Sequence, residues 1–138
     1  MKVFLDTNIL LDYGEVRDDF LYAKAIMELG ERGEIDLYAS YLSYANMGYI
    51  LRSYPKEDLW SLISEMREGI TVLDTNSRQL DDALAHVPVK DYEDLLQYLC
   101  AVEGHCDVIV TNNKKDFVEF SSMPLYTSKE FLLYYFKI

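Results

Sequence analysis

The sequence has few of the residues that mark unstructured, fibrous or cross-linked chains. Glycine (6) and proline (3) are scarce among 138 residues, which excludes collagen-like repeats and low-complexity linkers. The two cysteines, Cys100 and Cys106, have a spacing that gives little support to a disulfide framework or a zinc site. These scarcities indicate a compact globular protein from a reducing compartment.

Long hydrophobic runs and a basic surface are also missing. The opening segment MKVFLDTNILLDY is interrupted by Asp6 and Asp12, so it is neither a signal peptide nor long enough to span a bilayer. The protein is therefore expected to be soluble and cytoplasmic, with no membrane partner. The chain has 13 Lys and Arg residues and 24 Asp and Glu residues, which give a net charge of −11. This charge argues against non-specific binding of nucleic acid over a broad basic surface, but not against a small local site.

Short apolar segments alternate with amphipathic helical segments along a chain whose length predicts one domain, residues 1–138. Predicted strands lie at 3–5, 36–39, 70–73, 107–111 and near 125–126. Predicted helices begin after residue 6 and lie at 18–32, 41–54, 55–68, 77–86 with a break at Val87-Pro88, 91–103, and from 128 onward. This alternation predicts an α/β fold, a three-layer α/β/α sandwich around a mainly parallel sheet of four or five strands.

Two of the predicted helices have patterns that suggest which side is buried. The helix at 41–54 is expected to bury a stripe of Leu42, Ala45, Tyr49 and Ile50, with Asn46 on the same face. The helix at 91–103 has apolar residues nearly all round, which predicts burial between two layers.

Acidic and amide side chains fall where the predicted strands end, and the carboxyl ends of parallel strands form ligand sites. These residues are Asp6, Asp91, Glu93, Asp94, Asn113 and Asp116. Carboxylates that converge in one crevice repel each other unless a cation lies among them, and oxygen ligands suit Mg²⁺ or Mn²⁺. A metal held in this way hydrolyses phosphodiesters by activating a water and neutralising charge on the phosphate.

Each candidate residue also has a purely structural interpretation. Asp6 and Asp91 have the residue type and position of helix N-caps, and Asp94 would be stabilised there by the helix dipole. Asn46 fits equally well as a core amide hydrogen-bonded to backbone. These alternatives stay open at the level of single residues.

The combination of motifs is more specific than any residue alone. The segments VFLDTNILLDY and VKDYEDLLQYLCAVEGHCDVIVTNNKKDF, together with the chain length, resemble a PIN domain of the VapC-type toxin group. The resemblance implies an α/β/α fold that cleaves RNA with Mg²⁺ or Mn²⁺. It also implies a toxin restrained by a small antitoxin, and a homodimer.

The resemblance assigns roles by position. Asp6 and Asp94 match metal-binding and catalytic acids of the family, and Asp116 is expected to supply a third carboxylate. The expected supporting residues are Thr7, Asn8, Asn46, Asp91, Glu93, Thr111 and Asn113. Lys114 and Lys115 are either a solvated turn or contacts to the substrate phosphate.

Because of two departures from the family pattern, a second function remains as an alternative. Asn46 stands where the family usually has a glutamate, and Asn113 where many members have an aspartate, which lowers the negative charge available to a metal. The alternative is a degenerate PIN-like domain that acts through protein–protein interaction. A phosphatase of the haloacid dehalogenase kind is disfavoured, because its Asp-x-Asp motif is Asp6-Thr7-Asn8 here.

The charge of residues 91–120 indicates which kind of partner this segment would attract. This segment contains seven acids and two lysines, for a net charge of −5. Without metal it would repel RNA and attract a basic segment of an antitoxin.

Overall fold

A computed structural model describes residues 1–86 and 88–137, and its centre is a sheet of five strands in the order β3-β2-β1-β4-β5. The strands are β1 (Lys2–Leu5), β2 (Asp36–Ser40), β3 (Thr71–Leu73), β4 (Val108–Val110) and β5 (Leu125–Tyr126). The helices are α1 (Thr7–Gly14), α2 (Phe20–Glu31), α3 (Tyr41–Ile50), α4 (Lys56–Gly69), α5 (Ser77–Leu84), α6 (Tyr92–Glu103) and α7 (Ser128–Phe136). All neighbouring strands pair in parallel, as predicted.

The central strand β1 is buried on both faces from Val3 to Leu5, which explains the apolar character of these residues. Val3 and Leu5 belong to one hydrophobic core cluster, and Phe4 belongs to the other. Side chains of a strand alternate between the two faces of a sheet, so one short strand contributes to both cores.

The two cores define three layers. One contains buried side chains of α1, α2, α3, α4 and α7, and the other contains those of α5 and α6. The predicted α/β/α sandwich is therefore confirmed. The predicted break after the helix at 77–86 includes Val87, which lies outside the described residues.

The predicted buried face of α3 is wrong. Ser43 and Met47 face the interior, whereas Tyr49 is 67% exposed and Ile50 is 44% exposed. The cause is the start of the helix, where Ser40 at the end of β2 caps α3 by accepting a hydrogen bond from Ser43 N at 3.1 Å. This cap fixes the rotation of the helix, and α3 ends at Ile50, before the predicted boundary at residue 54.

Helix α6 covers one face of the sheet and does not lie between two layers. Leu95, Tyr98 and Ala101 pack inward, whereas Val102 is 44% exposed. The prediction of burial between two layers was wrong because apolar residues around a helix do not all need to be buried. Leucines can lie half-buried at the edge of a contact between a helix and a sheet.

The aromatic C-terminal segment is divided between core and surface. Phe131 and Leu132 of α7 are buried, and the next three residues, 133–135, are exposed. Among the described residues, no helix is both long and apolar enough to cross a membrane.

Alanine substitutions at Gly30 of α2 and Gly48 of α3 test the packing between α2 and β2. A Cβ atom on Gly30 would approach Cδ1 of Leu37 to 2.5 Å and Cγ to 2.8 Å, whereas a Cβ atom on Gly48 would meet nothing within 4 Å. Gly30→Ala is expected to lower the free energy of unfolding by about 1–2 kcal/mol through overpacking. Gly48→Ala, the matched control, should raise it by about 0.5–1 kcal/mol through helix propensity. Urea denaturation measures both, and stabilisation by both changes would contradict the close approach of α2 to β2.

Candidate metal centre

A crevice of about 370 Å³ opens at the carboxyl ends of the strands. The chain passes from β1 outward to β2 and β3, then returns to place β4 on the other side of β1. Such a reversal of strand order is where open parallel sheets bind ligands. The polar residues that line the crevice are Asp6, Thr7, Asn8, Asn46, Asp91, Glu93, Asp94, Asn113 and Asp116.

Asp6 is held at the floor of this crevice by several hydrogen bonds. It caps α1 by accepting a bond from Thr7 N at 2.8 Å. Its second oxygen accepts bonds from Thr111 Oγ1 at 2.8 Å and from Asn8 Nδ2 at 3.1 Å. The structural and functional interpretations of Asp6 are therefore compatible, because the cap fixes the carboxylate where the strands β1 and β4 end.

Three further carboxylates come together beside Asp6. Asp91 caps α6 by accepting a hydrogen bond from Asp94 N at 3.1 Å. Asp116 ends a short 3-10 turn after β4 and brings its carboxylate to the same place. One oxygen from each of Asp91, Asp94 and Asp116 lies within 4.8 Å of the others. Asp91, expected only as a supporting residue, is thus part of the group of three close carboxylates in the crevice.

Crowding and burial raise the proton affinity of these acids. The pKa of Asp94 rises to about 8, first because of burial and then because of the charges of Asp6, Asp91 and Asp116 and a hydrogen bond with Asp91. Burial also raises the pKa of Asp6 to about 6, against the lowering effect of its bonds from Thr111 and Thr7. Bound cations reverse this effect, so a donor set made of carboxylate oxygens fits Mg²⁺ or Mn²⁺.

A fifth carboxylate faces the crevice from α6. Asn46 on α3 donates a hydrogen bond from Nδ2 to Glu93 Oε1 at 2.7 Å. The pKa of Glu93 is raised by burial and by Asp91, and the bond from Asn46 acts in the opposite direction. The amide on α3 therefore orients a carboxylate supplied by α6.

A buried network of polar side chains behind the crevice was missed by sequence reasoning. Gln97 accepts a hydrogen bond from Ser40 Oγ at 2.6 Å and donates to Ser43 Oγ at 2.9 Å. It also donates to Thr7 Oγ1 at 3.2 Å, and Thr7 and Ser43 hydroxyls lie 2.7 Å apart. The available signal was an amide side chain one helical turn after Asp94, within the largely apolar stretch 95–102.

Asn112 was also overlooked, although it follows Thr111 directly. Its side chain donates to Asp12 Oδ2 at 2.7 Å and accepts from Ser128 N at 3.2 Å. Its backbone N–H donates to Asn8 Oδ1 at 3.2 Å. Asn112 thereby joins the loop after β4 to α1 and to the start of α7.

The two lysines do not line the crevice. Lys114 forms an ion pair with Glu130 of α7, with Nζ 2.9 Å from Oε1. Lys115 is exposed, as is Asn113, whose backbone N–H donates to Thr111 Oγ1 at 3.1 Å. Substrate contacts by these lysines stay a prediction.

The metal-free protein is expected to lose stability as the pH rises between about 4 and about 8. Asp94 keeps its proton in the folded chain up to a pKa of about 8, whereas an ordinary aspartate with a pKa of 3.8 releases it. The folded state then binds more protons than the unfolded state, so the free energy of unfolding falls with rising pH. Thermal unfolding in EDTA should show this fall in the wild type and in Asp36→Asn, an exposed control. If stability falls by the same amount with pH in Asp94→Asn, the raised pKa of Asp94 is not its cause.

Comparison with known proteins supports the PIN domain family, which the sequence motifs resemble. Residues 2–115 match the PIN domain. Ribonuclease VapC1 of Aquifex aeolicus (strain VF5) is 26% identical over 118 residues, which cover 82% of this chain and 82% of the relative.

Solved structures share the fold at low sequence identity. VapBC2 from Rickettsia felis, bound to a DNA fragment from its promoter, matches with a TM-score of 0.68 and 18% identity, covering 92% of this chain and 98% of that one. VapBC-1 from nontypeable Haemophilus influenzae matches with a TM-score of 0.65 and 19% identity, covering 94% and 99%. A toxin-antitoxin complex from Klebsiella pneumoniae gives a TM-score of 0.64 at 16% identity, covering 91% and 97%.

The match to the PIN domain extends over most of the chain and includes every strand except β5. It also includes Asp6 at the start of α1, and Asp91 and Asp94 at the start of α6, and it ends one residue before Asp116. The chain belongs to the PIN domain family.

Proposed function

We propose that this chain is a metal-dependent endoribonuclease and the toxin of a toxin–antitoxin pair, acting through one domain formed by residues 1–138. The observation that carries the proposal is the meeting of Asp91, Asp94 and Asp116 beside Asp6 at the strand reversal. Membership of the PIN domain family and the similarity to ribonuclease VapC1 support RNA as the substrate. The enzyme would meet that substrate in the cytoplasm.

Asp6, Asp94 and Asp116 are the proposed metal ligands and catalytic residues, with Asp91 and Glu93 beside them. A bound Mg²⁺ or Mn²⁺ would activate a water and neutralise charge on the phosphate. The chain's own contribution is to hold these carboxylates close together despite their repulsion.

The supporting residues fix that arrangement. Thr7, Asn8 and Thr111 hold the Asp6 carboxylate in one orientation through hydrogen bonds. Asn46 orients Glu93 by the bond described above. Asn113 also lines the crevice, and its backbone N–H donates to Thr111 Oγ1.

The two amides at family carboxylate positions are compatible with an active site. Asp116, from the turn after Asn113, contributes a carboxylate to the cluster with Asp94. Glu93 contributes another opposite Asn46. The crevice therefore keeps five carboxylates, although two of them come from other positions than the family pattern implies.

The proposed partner is a small antitoxin with a basic segment. The crevice is lined by five carboxylates, and residues 91–120 carry a net charge of −5. An arginine of the antitoxin can pair with these carboxylates and occupy the place of the metal. The toxin-antitoxin complex from Klebsiella pneumoniae, which shares this fold, supports this kind of partner, and we also propose a homodimer.

Replacing Asp6 is the direct test of the activity. Asp6→Asn is expected to abolish RNA cleavage, because it removes a buried negative charge from the proposed metal ligands. The fold should persist, since an amide oxygen can still accept the hydrogen bond from Thr7 N. Cleavage of a mixed single-stranded RNA pool in Mn²⁺ and circular-dichroism melting measure the two effects.

Asp36→Asn, at the opposite end of the sheet, serves as the control and should cleave like the wild type. Cleavage by Asp6→Asn at the wild-type rate would overturn the assignment of the site. Absence of cleavage by the wild type itself would favour the alternative function, a degenerate domain that binds protein.

A further inference from the structure

One wall of the crevice carries an aromatic ring, and a guanidinium group from outside the crevice lining lies over that ring. Tyr49, in the last turn of α3, lines the crevice and is 67% exposed. The guanidinium carbon of Arg52 lies 4.1 Å from the centre of the Tyr49 ring. Arg52 Nη1 also donates a hydrogen bond to the backbone oxygen of Tyr49 at 2.8 Å. The two side chains therefore form a stack whose aromatic member lines the crevice.

The fold does not need Tyr49 for its core. Helix α3 packs inward through Ser43 and Met47, and the rotation set by Ser40 turns Tyr49 away from the sheet. A tyrosine that is two-thirds exposed buries little apolar area, so core packing does not account for it.

Arg52 is also a cation that lies directly beside a residue of this wall. Within residues 1–86 and 88–137 it forms no ion pair, whereas Lys114 is paired with Glu130. RNA that enters the crevice meets five carboxylates, and a cation at the edge would attract the phosphates that lie outside the reach of a bound metal.

We propose that Tyr49 and Arg52 form a nucleotide subsite for single-stranded RNA. A base stacks on the exposed surface of the Tyr49 ring, and the Arg52 guanidinium contacts a neighbouring phosphate. Every base has a π-face, so such stacking tolerates any sequence, and a planar guanidinium matches the geometry of a phosphate. The subsite rests on the proposed ribonuclease function and identifies where the chain seats its substrate beside the carboxylates.

The test is binding of a short labelled single-stranded RNA to the full chain with Mg²⁺. Fluorescence anisotropy is recorded on ice over an interval in which gel electrophoresis shows that the RNA stays intact. The same RNA with one central run of abasic sites keeps the phosphates and removes the stacking partners. Cleavage of the intact RNA at physiological temperature is measured separately.

Tyr49→Ala is expected to weaken binding of the intact RNA by roughly 5- to 150-fold and to leave binding of the abasic RNA unchanged. Tyr49→Phe, the matched control, keeps the ring and should bind like the wild type. Arg52→Ala should weaken binding of both RNAs and reduce the slope of log affinity against log salt by about 0.7, the value for one phosphate contact on a single strand.

Wild-type affinity in Tyr49→Ala, or an equal loss for intact and abasic RNA, would overturn the subsite. A change of oligomeric state in Tyr49→Ala, measured by size-exclusion chromatography with light scattering, would overturn it by assigning the stack to contact between copies. Failure of the wild type to bind RNA would overturn it as well. RNA binding with the expected Tyr49 dependence but without cleavage would support the subsite and overturn the proposed activity.

Discussion

Repulsion between carboxylates in one crevice is the constraint on which the rest of the site depends. Burial and mutual charge raise the pKa of Asp94 to about 8 and that of Asp6 to about 6. The fold holds these groups together through local bonds, since Asp6 caps α1 and Asp91 caps α6. A cation among them relieves the repulsion, so this arrangement of carboxylates favours the binding of a divalent metal ion.

The frame behind the carboxylates is rigid because its polar groups are paired. Gln97 ties α6 to Ser40, Ser43 and Thr7, and each of these side chains is buried. Buried polar networks of this kind specify one arrangement of the elements that carry them, because any other arrangement leaves a buried polar atom without a partner. The positions of Asp6 and Asp94 are consequences of this network and of the strand order.

Sequence alone predicted the strands, the parallel sheet and the acids at the strand ends, because these follow from local patterns. It did not predict the rotation of α3, which depends on the cap at Ser40. The proximity of Asp91 to Asp116 and the pairing of Lys114 with Glu130 depend on how distant segments pack. The same holds for Gln97, whose partner Thr7 lies 90 residues away.

Calorimetric titration of Mn²⁺ into metal-free protein tests the central claim most directly, when it is run near pH 7 in two buffers of different ionisation enthalpy. The wild type should bind Mn²⁺ and release close to one proton, because Asp94 with a pKa of about 8 is mostly protonated before the metal enters. Asp94→Asn should bind more weakly and release less. Absence of binding up to millimolar Mn²⁺, or unchanged proton release in Asp94→Asn, would contradict the account of this crevice as a metal centre.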